Sequence, residues 1–277
     1  LALDYALPAE PLRNGLSVYA YARFAERRIE TLPAMLPNIH IRIAGASRYR
    51  FGSGDWIPAP RITLIGPTTS WYQAELQPGT ELLATGVLPQ GWLSLIRAPG
   101  IDVSDELIDG ELLWGRRAVM DLCDALGCAA DTHARTRILD TFFSTRMRES
   151  AAPTASRVID HWLEQSQDLS LDTLCEELDI TARHLRRLTL DIYGMSPKTL
   201  AMKYRCLRAA AALAVRGEDG MDAALRGFAD QAHLSRDFRR FIGWSPMSFV
   251  RENRNFAAAT FAGRLRAGAN RPLVLLS

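Results

Sequence analysis

The 277-residue chain is poor in histidine, cysteine and surplus charge, and each shortage closes a class of function. Cys123, Cys128, Cys175 and Cys206 form no Cys-x-x-Cys pair, and residues 1–110 contain only His40. A zinc site, or an enzyme holding its metal on clustered histidines, needs such ligands, so no metal is expected. Cys175 and Cys206 lie on apolar helical faces, the pattern of free thiols in a reducing compartment. No apolar run approaches the ~18 residues of a membrane span; the nearest is LRAAAALAV at 207–215. LALDYALPAE at the start has no basic segment leading into an apolar stretch, so a cytoplasmic location is expected. A Gly-rich phosphate loop and a recognisable nucleophile are missing too, which argues against cofactors and enzymatic activity. Net charge is only +2, so any nucleic-acid signal must come from local placement.

What is present divides by texture. Residues 1–110 are rich in Gly and Pro, and 39–45, 47–51, 61–66, 69–76 and 81–88 read as short strands separated by turns. Such a pattern predicts a barrel or sandwich. From Glu111 the apolar period lengthens. Leu112, Leu113, Val119, Met120, Leu122, Cys123 and Leu126 predict an amphipathic helix ended by Gly127. A second helix, capped by Asp131 or Thr132, carries Ile138, Leu139, Phe142, Phe143 and Met147 on one face. RESAAPT at 148–154 reads as a linker, and everything from there to about Phe256 reads as helical. The last 24 residues add Arg254, Arg264, Arg266 and Arg271 with no acid, a basic tail.

Within this helical region a fourteen-residue phrase occurs twice. HLRRLTLDIYGMSP at 184–197 returns as HLSRDFRRFIGWSP at 233–246, with six identities at a constant offset. In the first copy Thr181 caps a helix whose Leu185, Leu188 and Ile192 face inward. Arg183, Arg186 and Arg187 fall together on the opposite face. Gly194 ends that helix, Ser196 caps the next and Pro197 occupies its first turn. A short helix, a tight turn and a second helix with an arginine face describe a helix-turn-helix, and arginine suits bidentate bonding to guanine. Two copies on one linking helix would enter successive major-groove turns of one DNA face.

These residues resemble the DNA-binding domain of the AraC/XylS family of bacterial transcription regulators. The resemblance covers about 100 residues, from SLDTLCEELDITARHLRRLTLDIYGMSPKTLAMKYR to GFADQAHLSRDFRRFIGWSP. Thr189 stands where the family usually has Phe, and Cys175 where Ala is usual. Position by position, the resemblance implies base reading by Arg183, Arg186 and Arg187 in the first copy. In the second it implies Gln231, Ala232, His233, Ser235 and Arg236, with Arg239 as a further DNA contact. Because Arg183 and Arg186 align with Ala232 and Ser235, the first helix is expected to supply most base discrimination. Ser196 and Ser245 open helices whose free N–H groups can meet phosphate or be satisfied by simple capping. Asp230 is expected to be the N-cap of the second recognition helix.

The expected fold is therefore α+β. Residues 1–110, with the phrases LIGPTTSW and GVLPQGW, resemble a cupin-like β-rich barrel, which the family resemblance implies would sense an effector, and the helical pair at 111–150 resembles the pair that mediates homodimerisation in relatives, here through 111–147. A double helix-turn-helix domain at 154–256 and a basic tail at 257–277 would follow. Trp56, Trp71, Tyr72 and Trp92 are the aromatic candidates for an effector pocket. The resemblance also implies RNA polymerase as a partner beside double-stranded DNA. The competing reading is a DNA-binding regulator without a small-molecule effector, controlled by abundance or by a protein partner.

Overall fold

Alternation with a period of two builds the first half of the chain, as β4 shows. The computed structural model describes residues 1–147, 154–165, 169–252, 260, 263–264 and 266–268. Its strands are β1 (Ala2–Ala6), β2 (Tyr19–Phe24), β3 (Arg28–Leu32), β4 (Asn38–Ala44), β5 (Ser47–Phe51), β6 (Ile57–Pro58), β7 (Ile62–Ile65), β8 (Tyr72–Leu76), β9 (Thr80–Gly86) and β10 (Leu107–Asp109). They form a six-stranded sheet, β1-β2-β9-β4-β7-β10, and a four-stranded sheet, β3-β8-β5-β6, with antiparallel pairing throughout. In β4 every residue from Asn38 to Ile41 is buried. Ile39 and Ile41 face a core with Val119, Leu122, Leu126 and Phe143, whereas Asn38 and His40 line the space between the sheets.

The two sheets face one another and remain open. The expected cupin-like barrel does not close, since β1 and β10 end one sheet and β3 and β6 the other. Closure needs a partner for every edge, and β6 is a two-residue strand ending in Pro58, which has no N–H to donate onward.

Two helices cover the outer face of the larger sheet: α1 (Arg116–Cys128) and α2 (Thr132–Ser144). Two expectations about α1 need correction. Gly127 lies inside it, and Ala129 forms the C-cap. Leu112 sits in a separate short helix, Gly110–Trp114, and is 82% exposed, because Gly115 at φ +82° breaks the helical path. Asp131 caps α2 by accepting the Ala134 N–H at 2.7 Å.

The remaining helices are α3 (Thr154–Gln165), α4 (Leu171–Leu178), α5 (Ala182–Tyr193), α6 (Pro197–Arg216), α7 (Met221–Ala224), α8 (Gln231–Ile242) and α9 (Pro246–Glu252). Residues 148–153 of the expected linker lie outside the described residues. The two halves share one core, with Val18, Ala34, Leu36 and Leu88 clustered with Leu200, Leu207, Phe241 and Ile242. Backbone bonds cross the boundary as well: the Ala34 N–H donates to the Phe241 carbonyl at 2.6 Å. Among the described residues no helix is long and apolar enough to cross a membrane.

Candidate nucleic-acid interface

Each recognition helix is built by the same local devices. Thr181 starts α5 by accepting the His184 N–H at 3.3 Å, and Asp230 starts α8 by accepting the His233 N–H at 2.7 Å. Both helices end at glycines in the left-handed region, Gly194 at φ +70° and Gly243 at φ +88°. There a side chain would strain the backbone, so glycine recurs. Ser196 then accepts the Thr199 N–H at 3.2 Å, and Ser245 accepts the Ser248 N–H at 3.1 Å. The serine hydroxyls are thus engaged as caps of α6 and α9.

One face of each helix is fixed in the core. Leu185, Thr189, Ile192 and Tyr193 are buried in α5, as are Leu234, Phe238, Phe241 and Ile242 in α8. Thr189 and Phe238 occupy the same place in the repeat. The smaller residue is tolerated because its own hydroxyl is satisfied, donating to the Arg186 carbonyl at 3.1 Å.

The opposite faces are exposed. Arg183, Arg186 and Arg187 all point to solvent from α5, and Gln231, Ala232, Arg236 and Arg239 do so from α8. Ser235 and His233 are half-buried. The His233 ring leans on its own helix: the Ala229 N–H donates to its Nδ1 at 3.4 Å, and its Nε2 lies 3.2 Å from the buried Asp237 carboxylate. The linking helix α6 has 20 residues, an axial length of about 30 Å at the standard rise.

The ends of both recognition helices rest on the β-rich half. A Cβ on Gly194 would fall 2.3 Å from Ser104 Oγ and 2.8 Å from Pro67, and one on Gly243 would fall 2.8 Å from Thr31 and 3.0 Å from Trp71. Ser104 Oγ donates to the Gly194 carbonyl at 3.0 Å, and the Trp71 N–H donates to the Arg240 carbonyl at 3.4 Å. Between them, Lys203 of α6 donates to the carbonyls of Met35 at 2.6 Å and Thr68 at 3.0 Å. Sequence reasoning missed this junction. Its one trace was a lysine on the apolar stripe Leu200, Tyr204, Leu207.

The aromatic pocket candidates scatter. Tyr72 alone lines the cavity between the sheets. Trp56 lies under the guanidinium groups of Arg48 and Arg50, 5.0 and 4.7 Å from its ring centre, on the outer side of the smaller sheet. Trp71 packs at Gly243, and Trp92 is 1% exposed with its indole N–H on the Ala98 carbonyl at 2.8 Å. Alternation explains the scatter, since neighbours on a strand or turn face opposite ways. Besides Tyr72, polar groups on the cavity wall include Glu30, Asn38, His40, Tyr49 and Arg264, none of which the sequence pattern placed in a pocket. His40 Nδ1 and the Tyr49 hydroxyl share a hydrogen bond at 2.6 Å, and burial lowers the imidazole pKa to about 4.

Residues 174–252 match the family model of a helix-turn-helix domain. The chain is 26% identical over 151 residues to the HTH-type transcriptional activator RhaS of Klebsiella pneumoniae, covering 50% of this chain and 54% of that one. It is 28% identical over 108 residues to the probable transcription factor PqrA of Proteus vulgaris, covering 39% of this chain and 88% of the relative. The chain thus spans about half the length of the RhaS relative it matches. Among solved structures, ToxT from Vibrio cholerae superposes with a TM-score of 0.51 at 13% identity, over 86% of this chain and 97% of that one. The likeness to ToxT extends across both halves of the fold.

Proposed function

We propose that this chain, whose C-terminal domain is a helix-turn-helix pair of the AraC type, is a sequence-specific transcription regulator reading two successive major-groove segments. The observation that carries the reading is the duplicated recognition helix. Helices α5 and α8 bury equivalent residues, expose equivalent faces and are joined by a rigid α6 about as long as one turn of DNA. Arg183, Arg186 and Arg187 supply the larger share of base discrimination, toward guanines. Gln231, Ala232, Ser235 and Arg236 read the second segment more weakly, while Arg239 and the N-termini behind Ser196 and Ser245 face phosphate.

Regulation enters through the β-rich half. Thr31 and Met35 line the inter-sheet cavity, Thr31 also abuts Gly243, and the Met35 carbonyl also holds Lys203. A small molecule that displaces this wall acts directly on neighbours of α8 and α6. Homodimerisation would use the outer face of α1 and α2, and RNA polymerase would be the protein partner at the promoter.

The test is selection of bound duplexes from a random-sequence library by the full chain. Two enriched elements, centred about 10 base pairs apart, with guanine dominating one of them, are the expected result. A single element, or none, would sink the two-segment reading.

A further inference from the structure

The second helix-turn-helix unit carries a basic pocket of about 600 Å³ that lies off its recognition face. Arg205 and Arg208, one turn apart on α6, face Arg226 in the turn between α7 and α8, over a floor of Ala209 and Ala224. Among the described residues no acid lines it. Gly227, at φ +83°, brings the turn against Arg205, since a Cβ there would lie 3.4 Å from the arginine Cδ and Nε. The Cζ of Arg205 is 5.6 Å from the centre of the Phe228 ring, a contact that offers its N–H groups no oxygen. Arg226 is exposed, and among the described residues neither it nor Arg205 forms an ion pair. Arg208 is engaged by other groups and adds charge to the wall. Burial, and then repulsion from Arg205, hold its pKa below the usual guanidinium value. The motif itself does not require these arginines. At the corresponding places the first unit has Ser156, Ile159 and Glu177, with Ile159 fully buried in the core.

We propose that Arg205 and Arg226 clamp one phosphate of the DNA backbone beside the segment read by α8. A guanidinium fork matches two phosphate oxygens, and two forks on one pocket hold the group from both sides. Placement points to DNA as the source of the phosphate. The turn from Arg226 ends at Asp230, the N-cap of α8. A recognition helix presents that end to the base edges, so the flanking backbone passes beside the turn. The division of labour between the units points the same way. Ala232 and Ser235 of α8 stand where α5 has Arg183 and Arg186. A unit with fewer base contacts depends more on phosphate contacts to keep its register on the duplex. The proposal rests on reading the chain as a DNA-binding regulator and adds the anchor of its second unit.

Competition binding of the full chain to its selected duplex, repeated across a salt series, tests it. Arg226→Gln should weaken binding about tenfold at fixed salt. It should also flatten the plot of log affinity against log salt by about 1, the value for one phosphate. Arg226→Lys, which keeps the charge, should keep most of that slope. Arg205→Gln should act as Arg226→Gln does; if it lowers the melting temperature, the exposed Arg226 carries the test alone. The bases selected from a random library should stay the same in every variant, because phosphate carries no sequence information. An unchanged slope for Arg226→Gln, a shifted base preference, or equal flattening by Arg97→Gln at an exposed site in the β-rich half overturns the proposal. Calorimetric titration with inorganic phosphate separates the sources. Heat that Arg226→Gln abolishes, with the DNA slope intact, gives the pocket to a free anion and overturns the clamp. A wild type that binds no duplex removes the regulator reading together with the clamp, whereas two selected elements with an unchanged Arg226→Gln slope remove the clamp only.

Discussion

The Nζ of Lys203 lies 2.6 Å from the carbonyl oxygen of Met35, so the helix joining the two helix-turn-helix units is bonded to the wall of the inter-sheet cavity. The ammonium is buried, and burial lowers its pKa from 10.5 to about 7, against a weaker opposing pull from Asp105. An unfolded chain keeps this proton to about pH 10.5, the folded chain only to about pH 7. Between those limits the unfolded state binds more protons, so this residue makes stability rise with pH, by about 1.4 kcal/mol per unit at most. Urea unfolding at pH 7 and 9 should show the wild type gaining about 2 kcal/mol more than Lys203→Met. Equal gains would mean that the folded lysine keeps its proton through pH 9, as a hydrated ammonium does.

Gly243 shows how closely the second unit is pressed to the sheets. An alanine there meets a left-handed backbone at φ +88° and the Thr31 and Trp71 side chains at 2.8 and 3.0 Å. Gly52 is also left-handed, at φ +53°, but has nothing within 4 Å of an added Cβ. Gly52→Ala should therefore cost the backbone strain alone, about 1–2 kcal/mol. Gly243→Ala should cost about 1–2 kcal/mol beyond that, because Trp71 has to yield. Melting temperatures of the two variants decide it; equal losses would show that the interface gives way freely.

Arginine inequality between the repeats gives the third expectation. Arg186 and Ser235 stand at the same place in α5 and α8, the first exposed and the second half-buried. Arg186→Ala should weaken binding to the selected DNA by about 1–3 kcal/mol and relax base preference at one position. Ser235→Ala should change affinity by less than about 1 kcal/mol. Competition binding at one fixed salt concentration measures both, and the reverse ranking would show that α8 leads recognition.

These experiments also mark where the sequence was informative. The repeat was legible because a recognition helix is a local object: cap, apolar stripe, outward arginines and terminal glycine all fall within a short stretch of chain. Thr181, Asp230, Gly194 and Gly243 take the local roles that spacing assigned to them. Strands β4, β5, β7, β8 and β9 were visible as alternating runs, whereas β1 to β3 were not, because residues such as Tyr19 and Tyr21 are buried by contacts with a distant helix and strand. The cavity depends on sequence separations that periodicity cannot see. Tyr72 and Arg264 lie nearly two hundred positions apart, and Lys203 meets Met35 across 168. Trp92 misled for a related reason: its large apolar surface fills a core as readily as it lines a pocket.

Association is the last expectation, and α1 and α2 supply its physical basis. Their inner faces cover the six-stranded sheet, while between their outer faces runs a groove of about 1080 Å³ lined by Trp114, Ile138 and Phe142 among others. Met120 on α1 is 42% exposed, and Leu112 just before it is 82% exposed, more apolar surface than a solvated helix pair needs. A second copy packed in this groove would cover Trp114, Ile138 and Phe142 and would bring two helix-turn-helix domains onto one duplex, doubling the site. Multi-angle light scattering at tens of micromolar should give a dimer mass. Ala125→Arg, at an exposed position lining the groove, should shift the mass toward a monomer without lowering the melting temperature of the fold. A wild-type monomer would instead mean that this face is solvated, and the regulator would then bind DNA through the two helices of a single chain.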